Sequence, residues 1–392
     1  MIDWSRFDKQ PTAETLKNYP TILDILKEVV AQEEEKQLFK LPLNREKYDF
    51  FYDWSSTGHY LLMQDNTQHL PVLLPTSRTA FTFYRGQSEY HEHCLPSLYR
   101  CKEGELEEET LRSHLQTAEM ILLMKSHPVI MSIESGGIMH EKLGLVRLPV
   151  MYDGLAQHYG IKTCYMDLTN DIWCAAFFAA TTYDGEYHPF VVTEDLPLKK
   201  RYGVLYMMDY SMESGDPDFS KDNILPIGLQ YFNRPGKQSA LVMAMQDLRD
   251  LHNHPRLKRI FFRHDTEASK LIYTLSQFGE QFITDDDPFA KMVESICAED
   301  KYSQNAVMLA QRIYHPGMTF ESFVEEVHRA KFEILETPRV AYPEELFAKE
   351  FDEWKNGGAD RYINRIIIQA MTMIPLEDLQ GYEDIELDNN LN

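Results

Sequence analysis

The stretch that most constrains the fold of this chain spans residues 155–181 and has the sequence LAQHYGIKTCYMDLTNDIWCAAFFAAT. Gly160 follows a helical run, where the end of a helix favours a residue in the left-handed conformation. Residues 161–168 alternate between two faces, which predicts a β-strand. Residues 172–180 are apolar nearly all round, which is typical of a buried helix. The stretch therefore predicts a helix, a strand and a buried helix in close succession.

The first backbone N–H groups of the buried helix have no carbonyl acceptor within the helix, because no earlier turn precedes them. Thr169 or Asn170 is predicted to cap this start, with Asp171 in the first turn, where the helix dipole favours an acid. Asp167 lies beside the same terminus, near the end of the preceding strand. Because helix N-termini attract anions, this region predicts a place for a phosphate or another anion.

A second motif lies upstream, in the tetrad YRGQ at residues 84–87. Residues 81–85 alternate as a strand that ends at Arg85. A guanidinium in this position can bind phosphate bidentately, and the missing side chain of Gly86 leaves room for a ligand near the backbone. Alternatively, Arg85 pairs with a buried acid such as Asp167 and ties the two motifs together. The sequence leaves both interpretations open.

These two motifs resemble the signatures of the FRG domain family, which is named after an aromatic-Arg-Gly motif. The second signature is matched by Leu155, residues 157–160, Thr163, residues 167–169 and residues 175–179. Cys164 and Leu168 depart from it, since the family usually has arginine and tryptophan at these positions. Residues 234–240 and 275–296 resemble two further family segments, so the resemblance covers residues 78–297. The family label implies no settled activity.

The same motifs are more weakly similar to those of ADP-ribosyltransferases of the Arg-Ser-Glu type. In these enzymes one strand ends in an arginine, and a later strand ends in Ser-Thr-Ser before a helix. The similarity implies an arginine for the pyrophosphate, small hydroxyls for the nicotinamide ribose and an aromatic ring for stacking. It also implies a glutamate that stabilises a ribosyl oxocarbenium. Gln238 lies near that position, and its amide carries no negative charge, so whether the chain is an enzyme stays open.

We predict one site from both motifs. The residues assigned to chemistry are Arg85, His158, Asp167 and Thr169. The residues assigned to binding a nucleotide of the NAD type are Tyr84, Arg85, Gly86, Gln87, Tyr159, Asn170 and Gln238. The alternative is a non-catalytic ligand-sensing or protein-interaction module, in which the signature residues, His158 among them, form a structural network in the core. NAD is the one candidate cofactor, and the sequence indicates no particular protein partner.

The whole pattern predicts an α+β fold, with a mixed β-sheet core, flanking helices and a resemblance to ADP-ribosyltransferase folds. Strands are predicted at 81–85, 161–168, 203–209, 239–245 and 258–264. Helices are predicted at 15–35, 103–125, 144–159, 266–278, 288–297, 302–314, 319–334, 343–355 and 359–373. We divide the chain into a helical and aromatic leader at 1–77, an FRG domain at 78–297 and a helical C-terminal extension at 298–392.

The charge balance restricts the range of partners. The chain has 62 acidic and 39 basic residues and a formal net charge of −23, which argues against a broad nucleic-acid-binding surface. Its five cysteines are odd in number and unevenly spaced, and the first residues do not resemble a signal peptide, so we expect reduced thiols in a cytoplasmic protein. Residues 172–180 form the longest apolar run, which is too short to span a bilayer. The histidine and cysteine pattern at 91–101 lacks the paired spacing of zinc sites, so no metal site is predicted.

Overall fold

The computed structural model describes residues 3–38, 60–64, 71–75, 82–140, 144–146, 150–209, 224–227, 231, 234–245, 250–283 and 287–358. The helix predicted at 359–373 lies outside these residues. None of the helices in the described part of the chain is long and apolar enough to cross a membrane.

The described residues form fourteen strands and eleven α-helices. The strands are β1 (Tyr60–Gln64), β2 (Pro71–Pro75), β3 (Thr82–Gln87), β4 (Ile138–His140), β5 (Gly144–Val146), β6 (Tyr165–Thr169), β7 (Thr181–Tyr183), β8 (Tyr187–Pro189), β9 (Tyr202–Asp209), β10 (Ile224–Pro226), β11 (Ala240–Ala244), β12 (Leu257–Arg263), β13 (Lys301–Ser303) and β14 (Glu333–Leu335). The helices are α1 (Ile22–Leu38), α2 (Leu106–Ser126), α3 (Pro128–Gly136), α4 (Tyr152–His158), α5 (Ile172–Ala180), α6 (Arg234–Lys237), α7 (Thr266–Leu275), α8 (Pro288–Cys297), α9 (Gln304–Tyr314), α10 (Phe320–Arg329) and α11 (Glu344–Glu353).

A six-stranded sheet forms the centre of the fold, in the order β10-β11-β6-β3-β9-β12. All five predicted strands belong to it, and β10 adds a short sixth strand at one edge. Its neighbouring strands pair antiparallel. Among the described residues, parallel pairing occurs between β13 and β14 and at the bridge from Thr21 to Arg263. The predicted α+β class is confirmed, and the resemblance to ADP-ribosyltransferase folds stays a prediction.

Helices α1, α5 and α7 cover one face of the sheet. Tyr84, Leu205 and Phe262 point into this layer, and α1 contributes Ile22 and Ile25 to the same core. The leader helix therefore shares a core with Tyr84 of the strand that carries the YRGQ motif. The boundary that we predict near residue 77 is not tested by this contact and stays a prediction.

The opposite face of the sheet carries the alternate residues of the same strands. Phe83, Leu168 and Tyr206 are buried there, together with Cys94 and Leu251 from connecting segments. Alternate residues of these strands thus face two buried layers, so the sheet is covered on both sides.

The C-terminal helices pack on α2. Leu111 and Leu115 of α2 lie in one buried cluster with Val307 of α9 and Phe323 of α10. The C-terminal extension therefore shares a core with the preceding region, as we predicted for its packing. The boundary at residue 297 remains a prediction.

The segment between α4 and β6 differs from the sequence prediction. Gly160 has the predicted left-handed conformation, with φ of 88°. The strand, however, begins at Tyr165, so the predicted start at residue 161 is wrong. Thr163 explains the difference, because its N–H donates to Ser97 Oγ (3.1 Å) and its carbonyl accepts from Leu98 N–H (3.2 Å). These bonds engage the backbone of Thr163 outside the sheet.

Candidate functional site

The central sheet splits between β3 and β6. The register pairs Tyr84 with Thr169, and no further pair continues along these two described strands. On its other side β3 pairs with β9 over its whole length. Arg85 spans the split, and its Nη1 donates to the carbonyl oxygen of Asp167 at 2.9 Å. We call Arg85, Gln157, His158, Asp167 and Gln238 the signature cluster.

One donor atom of the Arg85 guanidinium has no partner in the protein. Its side chain is 17% exposed, and Nη1 lies 4.0 Å from Asp167 Oδ2, which is the limit of an ion pair. Its Nε is buried and has no hydrogen-bond partner. Partial burial lowers the pKa of Arg100, and the positive charge of Arg85 is the second cause of this shift. The guanidinium groups of Arg85 and Arg100 are therefore within electrostatic range of each other.

Asp167 is held through one of its two carboxylate oxygens. Gln157 Nε2 donates to Oδ2 at 2.9 Å. The orientation of the Gln157 amide is fixed in turn, because its Oε1 accepts from the hydroxyl of Thr163. The other carboxylate oxygen, Oδ1, is buried without a hydrogen-bond partner. It lies 3.9 Å from His158 Nε2.

His158 is almost fully buried, with 5% of its side chain exposed. Its Nδ1 lies 3.1 Å from Gln238 Oε1, and Gln238 Nε2 donates to the carbonyl of Phe282 at 3.1 Å. Since the amide N–H of Gln238 faces Phe282, its oxygen faces His158, and His158 Nδ1 must carry the proton. Burial lowers the pKa of His158, an effect that Asp167 opposes. A neutral ring leaves Nε2 as an acceptor.

The start of α5 is already occupied by the protein. Asp171 caps the helix, and its carboxylate accepts from Trp173 N–H at 2.8 Å. The prediction that Thr169 or Asn170 caps it is wrong, because the Thr169 hydroxyl donates to the Gln238 carbonyl (2.7 Å) and accepts from Asp171 N–H (2.9 Å). A phosphate at this terminus would therefore compete with the carboxylate of Asp171.

Tyr84 and Gly86 face the helix layer of the core. Tyr84 is 1% exposed and packs in the core with α1 and α5. At Gly86, a Cβ atom would lie 1.8 Å from the carbonyl oxygen of Ala175 in α5. The space that the sequence suggested for a ligand beside Gly86 is thus filled by the backbone of α5.

The other predicted binding residues lie apart from the cluster or at its margin. Tyr159 is 5% exposed, and its hydroxyl donates to Asp287 Oδ2 at 2.9 Å, at the start of α8. Gln87 pairs with Val204, and its Oε1 is buried without a partner. Asn170 is half-buried between β6 and α5. Of the predicted residues, the structure brings together Arg85, His158, Asp167, Thr169 and Gln238.

Gln157 of the cluster and two arginines near the cluster were not assigned to the site from sequence. Gln157 precedes His158 in the family signature, so the sequence could have indicated that Gln157 belongs to the site. Arg100 has no local signal, because only the fold brings it near Arg85. Arg234 begins the segment 234–240 that resembles the family, but only the fold brings it near His158. No group of three or more His, Cys, Asp or Glu side chains is arranged to hold a metal ion in the described residues.

A known protein family matches the part of the chain that contains most residues of the signature cluster. The family model of the FRG domain matches residues 81–187. This range includes β3, α4, β6 and α5, while Gln238 lies outside it. Comparisons with curated proteins and with solved structures give no match.

Proposed function

We propose that the signature cluster of this FRG domain-containing protein binds a nucleotide of the NAD type, with Arg85 as the anchor for a phosphate group. The observation that carries the proposal is the buried and unpartnered Nε of Arg85, and a second guanidinium, that of Arg100, lies within electrostatic range of Arg85. A buried donor without a partner costs roughly 1–3 kcal/mol. A phosphate oxygen would satisfy this donor and would also reduce the repulsion between the two arginines.

The local charge supports an anionic ligand. Arg85 and Arg100 act on each other, and the positive charge of Arg234 acts on His158. The cluster thus contains one arginine and lies within electrostatic range of two more, in a chain whose formal net charge is −23. Such a local concentration of positive charge favours a small anion, while the acidic remainder of the chain disfavours extended polyanions.

ADP-ribosyltransferase-like chemistry would have to rely on Asp167. Both ends of the Gln238 amide are engaged, the oxygen with His158 and the nitrogen with the Phe282 carbonyl. Gln238 can thus position His158, and it supplies no negative charge to an oxocarbenium. Because both ends of the Gln238 amide are engaged, the structure favours the second candidate function, a ligand-sensing module that binds the nucleotide without turnover.

Titration of the purified protein with NAD tests the proposal. Isothermal titration calorimetry measures binding, and chromatography of the same samples measures release of nicotinamide. Binding with release supports an enzyme, and binding without release supports the sensing module. The absence of binding would contradict the proposal and support a purely structural network.

The substitution Arg85→Lys is expected to weaken NAD binding by about tenfold or more. Lysine retains the positive charge and loses the planar fork that makes bidentate contacts to phosphate. The change should lower the free energy of unfolding by only about 1 kcal/mol, because one hydrogen bond to a carbonyl is lost. Calorimetry and thermal melts with and without NAD measure both effects.

The control for this variant is Arg329→Lys, at an exposed residue at the end of α10. It should change neither NAD binding nor the melting temperature. If Arg85→Lys melts several degrees lower while NAD leaves the melting of the wild type unchanged, Arg85 is a structural tie between the two motifs.

A further inference from the structure

Two buried hydrogen-bond acceptors face each other inside the signature cluster. His158 Nε2 and Asp167 Oδ1 are 3.9 Å apart, and neither has a hydrogen-bond partner. This distance is too long for a hydrogen bond between them. A histidine that is 5% exposed and a carboxylate oxygen without solvent contact are thus left unsatisfied side by side.

The surrounding contacts prevent the protein from satisfying this pair itself. The proton of His158 lies on Nδ1, because the Phe282 carbonyl fixes the amide of Gln238 with its oxygen toward the ring. Gln157 uses its N–H group on the other oxygen of Asp167. Each of the two remaining atoms therefore needs a donor from outside the protein.

We propose that the ligand of this cluster presents a vicinal diol, as in ribose, whose two hydroxyl groups donate to His158 Nε2 and Asp167 Oδ1. This inference rests on the proposed function and adds the chemical group that the ligand must carry. Two adjacent hydroxyls suit two adjacent acceptors. Arg85, whose Nη1 is 4.0 Å from the other oxygen of Asp167, is close enough to hold the phosphate of the same ligand.

A site of this construction discriminates by its unpaired acceptors. A ligand that lacks a hydroxyl leaves a buried acceptor without a donor, and such sites reject the deoxy analogue strongly. We expect ribose 5-phosphate to bind about tenfold more tightly than 2-deoxyribose 5-phosphate. Inorganic phosphate should bind no more tightly than the deoxy sugar, since both have the contact with Arg85 and the deoxy sugar keeps one hydroxyl for one of the two acceptors.

Calorimetric titration of the full chain with these three compounds and with NAD separates the two proposals. Equal affinities of the two sugar phosphates, with binding of phosphate retained, would overturn the diol and leave the nucleotide proposal intact. If neither NAD nor any of the three compounds binds, the nucleotide proposal fails and the diol fails with it.

The variant Asp167→Asn tests the role of the acceptor pair. The amide oxygen of the new side chain can keep the hydrogen bond from Gln157, while its N–H group faces His158 Nε2. The preference for ribose 5-phosphate over its deoxy form should fall to less than about threefold. Inorganic phosphate should bind at least as well as to the wild type, because a negative charge near Arg85 is removed. A retained tenfold preference would overturn the inference.

A spectroscopic measurement gives the same test without a substitution. The ¹⁵N chemical shift of His158 Nε2 reports whether this atom accepts a hydrogen bond. Ribose 5-phosphate should move the signal toward the hydrogen-bonded range, and inorganic phosphate should leave it unchanged. Equal shifts with both compounds would show that the sugar hydroxyls do not contact His158, which would overturn the proposal.

Discussion

Replacing Gly86 with alanine is expected to lower the free energy of unfolding by about 3 kcal/mol or more. The new Cβ would lie 1.8 Å from the carbonyl oxygen of Ala175, 2.8 Å from its carbonyl carbon and 2.9 Å from Ala179 Cβ. Two of these are backbone atoms of α5, so the overlap can be relieved only by moving the helix away from β3. Urea unfolding monitored by circular dichroism measures the loss.

Two other glycines provide matched controls. At Gly154 a Cβ would approach Ile227 Cδ1 to 1.9 Å, which is the far end of a flexible side chain. Gly154→Ala should therefore lower the free energy of unfolding clearly less than Gly86→Ala, although the shortest distance from the new Cβ is similar at the two positions. Gly317 has no atom within 4 Å of such a Cβ, so Gly317→Ala should be nearly neutral. Equal losses for Gly86→Ala and Gly154→Ala would contradict close packing of β3 on α5.

Gly86 shows how the two sequence motifs are related in physical terms. The glycine of the first motif and the small residues of the second, Ala175 and Ala179, meet where β3 touches α5. The sequence predicted the strand and the buried helix, because alternation and continuous apolarity are local signals. It did not indicate that the helix backbone packs where a side chain at residue 86 would lie, since that contact joins residues almost ninety positions apart.

Arg85 combines parts of both interpretations that the sequence left open. It does tie the motifs together, but through the backbone carbonyl of Asp167, with the carboxylate at 4.0 Å. A strand ladder would normally satisfy this carbonyl, and Arg85 does so because β3 and β6 part beyond Tyr84. A split in a sheet has no sequence signature, so this geometry could not be predicted.

The polar network depends on contacts that only the fold creates. Gln238 was considered as a substitute for a catalytic glutamate, and its actual partners are His158 and the carbonyl of Phe282. Strand β10 was missed for a different reason, because three residues are too few to show an alternating pattern. Local periodicity thus predicted the strands of the sheet, while the orientation of amides and rings required the structure.

The stability of the protein is expected to fall as the pH decreases from 6.5 to 4, partly because of His264. Burial lowers the pKa of His264 to about 4, from 6.5 for an exposed histidine. Its ring stacks on Phe190 with centroids 3.7 Å apart, and Nε2 lies 2.7 Å from the carbonyl oxygen of Ser88. The folded protein thus holds this histidine neutral and desolvated.

The sign of the effect follows from proton binding. Between pH 6.5 and 4 the unfolded chain protonates residue 264 and the folded chain does not, so protons favour unfolding. The stabilisation is fully present above pH 6.5 and is lost as the pH falls to 4. A pKa that drops from 6.5 to about 4 corresponds to about 3 kcal/mol.

The substitution His264→Gln isolates this contribution. Glutamine can retain an N–H donor for Ser88 and does not titrate, so the variant should lose about 3 kcal/mol less than the wild type between pH 6.5 and 4. At pH 7 it should be less stable, because the stacking on Phe190 is lost. Urea unfolding at a series of pH values gives both free energies, and carboxylates and other histidines cancel in the difference.

The control for the acid experiment is His91→Gln, at an exposed histidine. Its unfolding free energy should follow the wild-type curve at every pH, because the side chain at this position is exposed to solvent. If His264→Gln also follows the wild-type slope, His264 must protonate in the folded protein without cost. The surroundings of the His264 ring would then have to admit water or a charge, which the burial of His264 argues against.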